Sequence, residues 1–194
     1  MSFIKVIDEE DATGKLKEVY TELLGEEGDR ISNLLKSQSI NPDILENHLK
    51  LYKSIMLSES GLTRKEREMI AVVVSAANTC HYCLVHHGAA LQQMVAEDQK
   101  LLFKDIAKAY QKPGQANQEQ QKQLSDLTLR EKAILDHSRK LTVSPANIIA
   151  ADLEKLQEVG LSDNDIHDIT QVVSYCNYEN RIAEGLGIDL EASK

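Results

Sequence analysis

The chain reads as an all-α fold, on three observations. Strand signals are nearly missing. Its 194 residues hold only 9 Gly and 3 Pro, and each proline stands at a helix start or in a loop. Capping residues followed by Glu, Asp or Pro recur along the chain and mark helix starts.

The elements follow in order. A helix from about Thr13 to Leu24 precedes a helical turn near Ser32 to Lys36. Asn41-Pro42 is a cap followed by Pro at the first helical position, opening a helix over 42–57. Thr63-Arg64-Lys65-Glu66 is a capping box and starts a helix over 63–77. Asn78-Thr79, a pair of low helix propensity, predicts a break. Helices over 80–95 and 97–110 come next, and the Pro-Gly and Gln/Asn-rich stretch 111–123 reads as a loop. Thr128-Leu129-Arg130-Glu131 is a second capping box, for 128–141, and Ser144-Pro145 opens 145–158. Ser162 with Asp165 is a weaker cap for 163–185. Gly61 and Gly160 suit the turns or C-caps that end the preceding helices. The segments around Gly61, Asp126 and Gly160 resemble each other. Ile70 to Val74 also resembles Ile169 to Val173, each followed by a serine (Ser75, Ser174) and an asparagine (Asn78, Asn177), which fits a quasi-repeated helical hairpin or simply recurring cap chemistry.

Length predicts one domain over 1–194: an N-terminal helical portion (1–60), a hairpin (61–110), the loop, and C-terminal helices (124–194). Twenty-two Lys and Arg against 31 Asp and Glu give a formal charge of −9, which argues against nucleic-acid or anionic-membrane partners. An apolar fraction of 42% is too high for disorder. The longest apolar run, Ile70 to Val74, is far too short to span a bilayer. The acidic N-terminal stretch MSFIKVIDEED lacks a secretory pattern, so a cytoplasmic location is expected. Three cysteines do not build a disulfide framework and suggest a functional pair plus one bystander.

The informative stretch runs from Glu68 to Gly88 and contains Cys80-His81-Tyr82-Cys83-Leu84-Val85-His86-His87. A Cys-x-x-Cys pair in the first turn of a helix brings two thiols into disulfide range, and the free N–H groups there favour thiolate. A redox-active pair is the expected reading; core-filling cysteines and metal ligation are its alternatives. His87 lies one helical turn beyond Cys83, about 40° off its face, and is the candidate for moving a proton. His86 points roughly 120° away from Cys80, and His86 and His81 suit surface or interface positions. His48, His137 and His167 carry no motif. In one straight helix Glu68 would lie about 18 Å from Cys80 by the axial rise. A break at Asn78-Thr79 folds the chain back, leaving Glu68 about 13 Å before the turn and His87 about 12 Å after it, so carboxylate and imidazole can meet. A Glu–His–Cys line is expected, with Glu68 as a solvated charge the plain alternative. Tyr82 suits a cover over the pair, or a donor to a bound peroxide or water.

The spacing Glu68, Cys80-x-x-Cys83 and His87 resembles the AhpD-like alkyl hydroperoxidases of the carboxymuconolactone decarboxylase superfamily, and Cys80 to Gly88 is most similar to their peroxidase-related branch. The match is specific over about residues 60–95 and weaker over nearly the full length. It implies an AhpD-like helical fold with orthogonal and antiparallel packing, and a homo-oligomer (dimer, trimer or hexamer). It also implies thiol-dependent reduction of organic hydroperoxides with no cofactor and no metal. By resemblance, Cys83 is the peroxidatic cysteine, Cys80 closes the disulfide, and Glu68 and His87 carry protons; Tyr82, His81 and His86 are supporting candidates. Tyr82 departs from the family pattern, which has a histidine there. The helix terminus favours Cys80, as the more exposed thiol, for first attack, while the His87 contact and the resemblance favour Cys83. The expected path is a Cys83 sulfenic acid, a Cys80–Cys83 disulfide, and reduction by an external dithiol, thioredoxin-like or lipoyl-type.

Three rivals stand beside it. Without a peroxide, the same pair makes a dithiol–disulfide oxidoreductase. A carboxymuconolactone-type decarboxylase is the second, although little arginine stands near the motif to hold a dianionic substrate. The third is a non-enzymatic helical scaffold with a structural metal site on Cys80, Cys83 and His87, with Cys176 as fourth ligand only if its helix packs there.

Overall fold

The computed structural model describes residues 2–27, 30–99, 102–111 and 124–192. It is all-α, and no strand occurs among the described residues. The helices are α1 (Gly14–Glu27), α2 (Asn33–Lys36), α3 (Pro42–Tyr52), α4 (Arg64–Ala77), α5 (His81–Met94), α6 (Leu102–Gln111), α7 (Leu129–Val143), α8 (Ala150–Glu158) and α9 (Asp163–Leu186). No described helix is long and apolar enough to cross a membrane.

The caps explain the starts. Asn41 Oδ1 accepts from the Ile44 amide at 3.2 Å. Thr63 Oγ1 accepts from the Glu66 amide at 3.1 Å while Glu66 accepts from the Thr63 amide at 2.8 Å. Thr128 and Glu131 repeat this exchange at 3.1 and 2.8 Å. The weaker cap also forms, since the Asp165 amide donates to Ser162 Oγ at 3.2 Å. The two full boxes are cross-linked as well. Lys65 reaches Glu131 at 2.9 Å and Arg130 reaches Glu66 at 2.8 Å, so the second residue of each helix pairs with the capping glutamate of the other.

Three expected spans differ. The helix expected over 42–57 is α-helical to Tyr52 and continues as a π-turn, Lys53–Leu57. The span 97–110 begins as a 3₁₀ turn, Glu97–Gln99, with α6 following from Leu102. Ser144-Pro145 does not open a helix over 145–158; it starts a 3₁₀ turn, Pro145–Asn147, and α8 begins only at Ala150. The β-branched pair Ile148 and Ile149 is extended (ψ 129 and 165), and Asp152 restarts the helix by accepting from the Ile149 amide at 3.0 Å while it pairs with Lys140 on α7. The loop expected over 111–123 lies outside the described residues except for Gln111, which ends α6.

The residues group into two compact units, 1–54 with 181–194 and 55–180. In the first, Leu16, Val19, Tyr20 and Leu23 form one stripe of α1 packed with Leu45 and Leu49 of α3. In the second, α4 is buried nearly all round, from Glu66 to Ala76, and packs against α5, α6 and α7. Met69, Val72, Val73 and Ala76 meet Leu91, Ile106 and Leu135 there. Gly88 lets α6 approach α5, since a Cβ at that position would stand 2.5 Å from the Phe103 ring. A helix buried on nearly every side serves as the central pillar of a bundle, and this pillar carries Glu68.

Candidate active site

The break after α4 has a definite form. The Cys80 amide donates to Ser75 O at 2.9 Å and the Thr79 amide to Ala76 O at 3.1 Å, the paired bonds of a Schellman C-cap. The residue that must turn left-handed is Thr79, at φ 60, a β-branched side chain in a region that favours glycine. Cys80 is then the N-cap of α5, and Cys83 lies in its first turn. Both thiols are buried, Cys80 at 0% exposure and Cys83 at 2%, so the expectation that Cys80 is the more exposed does not hold. A C-cap and an N-cap back to back press the pair into the core instead.

Folding α5 back along α4 brings Glu68 to His87, with Nδ1 and Oε2 2.8 Å apart. Glu68 is fully buried, and its other oxygen is 2.6 Å from Arg64 Nη2. On the far side of the ring, Nε2 lies 3.7 Å from Glu179 Oε2, while Glu179 Oε1 accepts from the Tyr175 hydroxyl at 2.8 Å. The imidazole thus stands between two carboxylates, Glu68 and Glu179. Burial works against its charge, but the two flanking carboxylates, Glu179 and Glu68, prevail and push its pKa up to about 10. Burial likewise works to raise Glu68, and the bond and charge of His87 with the charge of Arg64 hold it below the usual carboxylate range. The ring is an imidazolium at neutral pH.

The thiols behave differently. The hydrogen bond with Cys80, then burial, push Cys83 up, and the charge of Glu179 adds to this; a hydrogen bond from Asn180 opposes it. Asn78, the cap residue of α4, donates to Asn180 Oδ1 at 2.9 Å and to Asn177 Oδ1 at 2.9 Å. Asn180 Nδ2 donates to Ser75 Oγ at 3.2 Å. The bond from Asn78 fixes which end of the Asn180 amide is the donor. Cys176 is fully buried, and burial, then the charges of Glu179 and Glu68, raise its thiol well above the ordinary value.

Of the residues singled out by sequence, Glu68 and His87 meet as expected, and Cys80 and Cys83 share the helix start. Tyr82 is buried with its ring centroid 4.4 Å from that of His86, which suits the covering position. His81 is exposed and His86 half-buried. Cys80, Cys83 and His87, the ligands of the rival metal-site reading, are not the set whose donor atoms converge. Among the described residues, the three potential ligands that converge are His87, Cys176 and Glu179, within 4.8 Å of one another. Glu179, Asn180 and Tyr175 were not anticipated. The signal for them lay in the resemblance of Asn78 to Asn177, which in fact bond to each other and seat α9 beside the break.

A sequence profile of the carboxymuconolactone decarboxylase family matches residues 42–102. An uncharacterized peroxidase-related protein from Silicibacter sp. TM1040 is similar at 33% identity and a TM-score of 0.77, covering 98% of this chain and 89% of that one. The alkylhydroperoxidase AhpD core protein from Ralstonia eutropha JMP134, also described as an uncharacterized peroxidase-related protein, is 28% identical with a TM-score of 0.81, covering 98% and 92%. The debrominase Bmp8, solved in complex with 2,3,4-tribromopyrrole, shares the fold at 19% identity and a TM-score of 0.73, covering 99% and 95%. No curated protein sequence matches the chain. Fold, profile and paired cysteines together define a helical protein of the thiol-bearing type. The chain belongs to the AhpD-like peroxidase-related proteins of the carboxymuconolactone decarboxylase superfamily.

Proposed function

We propose that the protein is a thiol peroxidase that reduces organic hydroperoxides to alcohols, with Cys83 attacking and Cys80 resolving. The observation that carries this reading is the buried Glu68–His87–Glu179 chain beside a Cys-x-x-Cys helix start. The peroxidase-related relatives support the choice of substrate. The debrominase has the same fold, so fold alone does not choose the electrophile.

Of the two directions in which the ring could move a proton, its raised pKa favours donation to the leaving group. A ring that holds its proton to about pH 10 is an acid at neutral pH. The Cys83 proton passes to Glu179, which removes the like-charge repulsion that disfavours the thiolate. Asn180 donates to the sulfur. The thiolate attacks the terminal peroxide oxygen, the O–O bond breaks, and the leaving alkoxide takes the proton of His87. Glu179 then returns its proton to the ring, and Glu68 holds the ring in place throughout. Cys83-SH and ROOH have become Cys83-SOH and ROH. Condensation with Cys80 releases water and leaves a disulfide, which an external dithiol of thioredoxin-like or lipoyl type reduces by exchange.

The test is a thiol titration before and after a substoichiometric pulse of tert-butyl hydroperoxide. Loss of two thiols per peroxide in the wild type, and none from Cys80 in Cys83→Ser, supports the reading. Thiols untouched by peroxide but oxidised by a small disulfide would point to the dithiol–disulfide oxidoreductase instead.

A further inference from the structure

We propose that His87, Cys176 and Glu179 form a binding site for a zinc-type divalent cation, separate from the Cys80–Cys83 pair. His87 comes from α5, while Cys176 and Glu179 lie three residues apart on one face of α9. Each offers one donor atom, and the three atoms lie within 4.8 Å of one another. Nitrogen, sulfur and oxygen are the donors zinc takes, at about 2.0–2.3 Å, so two ligands of one tetrahedral ion stand about 3.3–3.7 Å apart. The 3.7 Å between His87 Nε2 and Glu179 Oε2 is long for a hydrogen bond and fits that spacing.

The groups behind the donors are the second observation. A metal-binding histidine gives its other nitrogen to a carboxylate, which fixes the ring; here Nδ1 is held by Glu68 at 2.8 Å, and Glu68 is itself held by Arg64. Glu179 is divided in the same way, with Oε1 taken by the Tyr175 hydroxyl and Oε2 turned toward the ring. The two oriented donors face each other, and the sulfur of Cys176, a fully buried residue, lies within 4.8 Å of both.

Three protein ligands leave a fourth position for water. If the peroxidatic reading holds, the cation also occupies the nitrogen that supplies the alkoxide proton, and binding inhibits turnover.

The test uses a Cys80→Ser/Cys83→Ser double variant, which can neither turn over peroxide nor bind metal through the pair. Equilibrium dialysis against Zn²⁺ is expected to give one ion per chain. Co²⁺ is expected to give a thiolate charge-transfer band with the intense visible bands of a tetrahedral site. Adding Cys176→Ser should abolish the charge-transfer band. Adding Tyr175→Phe, which leaves all three ligands and the core volume in place, should weaken affinity roughly 10–100-fold. No stoichiometric metal in the double variant, or a charge-transfer band that survives Cys176→Ser, overturns the site. Failure of peroxide turnover in the wild type would leave these binding outcomes unchanged, so the two readings fail separately.

Discussion

The proton on His87 bears on the stability of the Glu68–His87–Glu179 chain and, in the proposed reaction, on its chemistry. Its pKa stands at about 10 in the fold against an ordinary value of 6.5, so its stabilisation is complete below about pH 6.5 and is lost as pH rises toward 10. Glu68 has the opposite sign. Held below its ordinary 4.5, it contributes fully above that value and loses its contribution as pH falls through the lowered one. The two together give a plateau between about pH 4.5 and 6.5. Glu68→Gln is expected to cost about 3 kcal/mol, because it leaves a buried partner uncompensated, and to move the alkaline loss to lower pH. Urea unfolding across pH 4 to 10 with a chelator present checks this; an unmoved alkaline limb would contradict it. Asn180→Ala removes the donor held against Cys83, and a charge-assisted hydrogen bond of that kind is worth roughly a 10–100-fold change. The expected result is slower peroxide reduction together with a Cys83 thiol pKa displaced upward in a pH profile of alkylation, a displacement a purely structural role would not give. The meeting of Glu68 and His87 was legible because both lie within one hairpin, where the helical rise sets distance. Glu179 and Asn180 were not, because they sit on a helix far along the chain and local spacing says nothing of where that helix packs.

Among the elements, the turn between α4 and α5 is the one the site depends on. Low helix propensity at Asn78-Thr79 was enough to place the break, but not to reveal that a threonine would take the left-handed position at φ 60. That conformation costs a residue with a Cβ about 1–2 kcal/mol, partly offset in glycine by its greater unfolded-state entropy. Thr79→Gly is expected to stabilise the protein by about 0.5–1 kcal/mol in thermal or denaturant melts, and a loss of stability would show that the Thr79 side chain makes a compensating interaction. The caps at Asn41, Thr63 and Thr128 were legible since the residues that make each cap are neighbours in sequence. Ser144-Pro145 misled for a physical reason. Proline fixes the first turn but not its continuation, and Ile148-Ile149 with the Asp152–Lys140 pair moved the start of α8 to Ala150.

For the molecule as a whole, the all-α class followed from strand-poor sequence and recurrent caps, and the family from the spacing of Glu68, Cys80, Cys83 and His87. What the sequence could not supply was the burial of α4 on every side, which depends on α5, α6 and α7 arriving around it. Leu91, fully buried one turn beyond His87, shares that core with Met69 and Val73. Leu91→Ala is expected to cost about 3 kcal/mol in denaturant unfolding, since α4 cannot collapse into the space left; a cost under about 1 kcal/mol would mean that α5 shifts freely and the hairpin does not hold its geometry. The central claim, that Cys83 is the sulfur oxidised by peroxide, is tested most directly in Cys80→Ser, where no disulfide with Cys80 can form. Treated with one equivalent of tert-butyl hydroperoxide and dimedone, that variant is predicted to carry a single dimedone adduct, mapped by mass spectrometry to Cys83. An adduct on Cys176, or none at all while the matching Cys83→Ser protein is labelled at Cys80, would contradict the account.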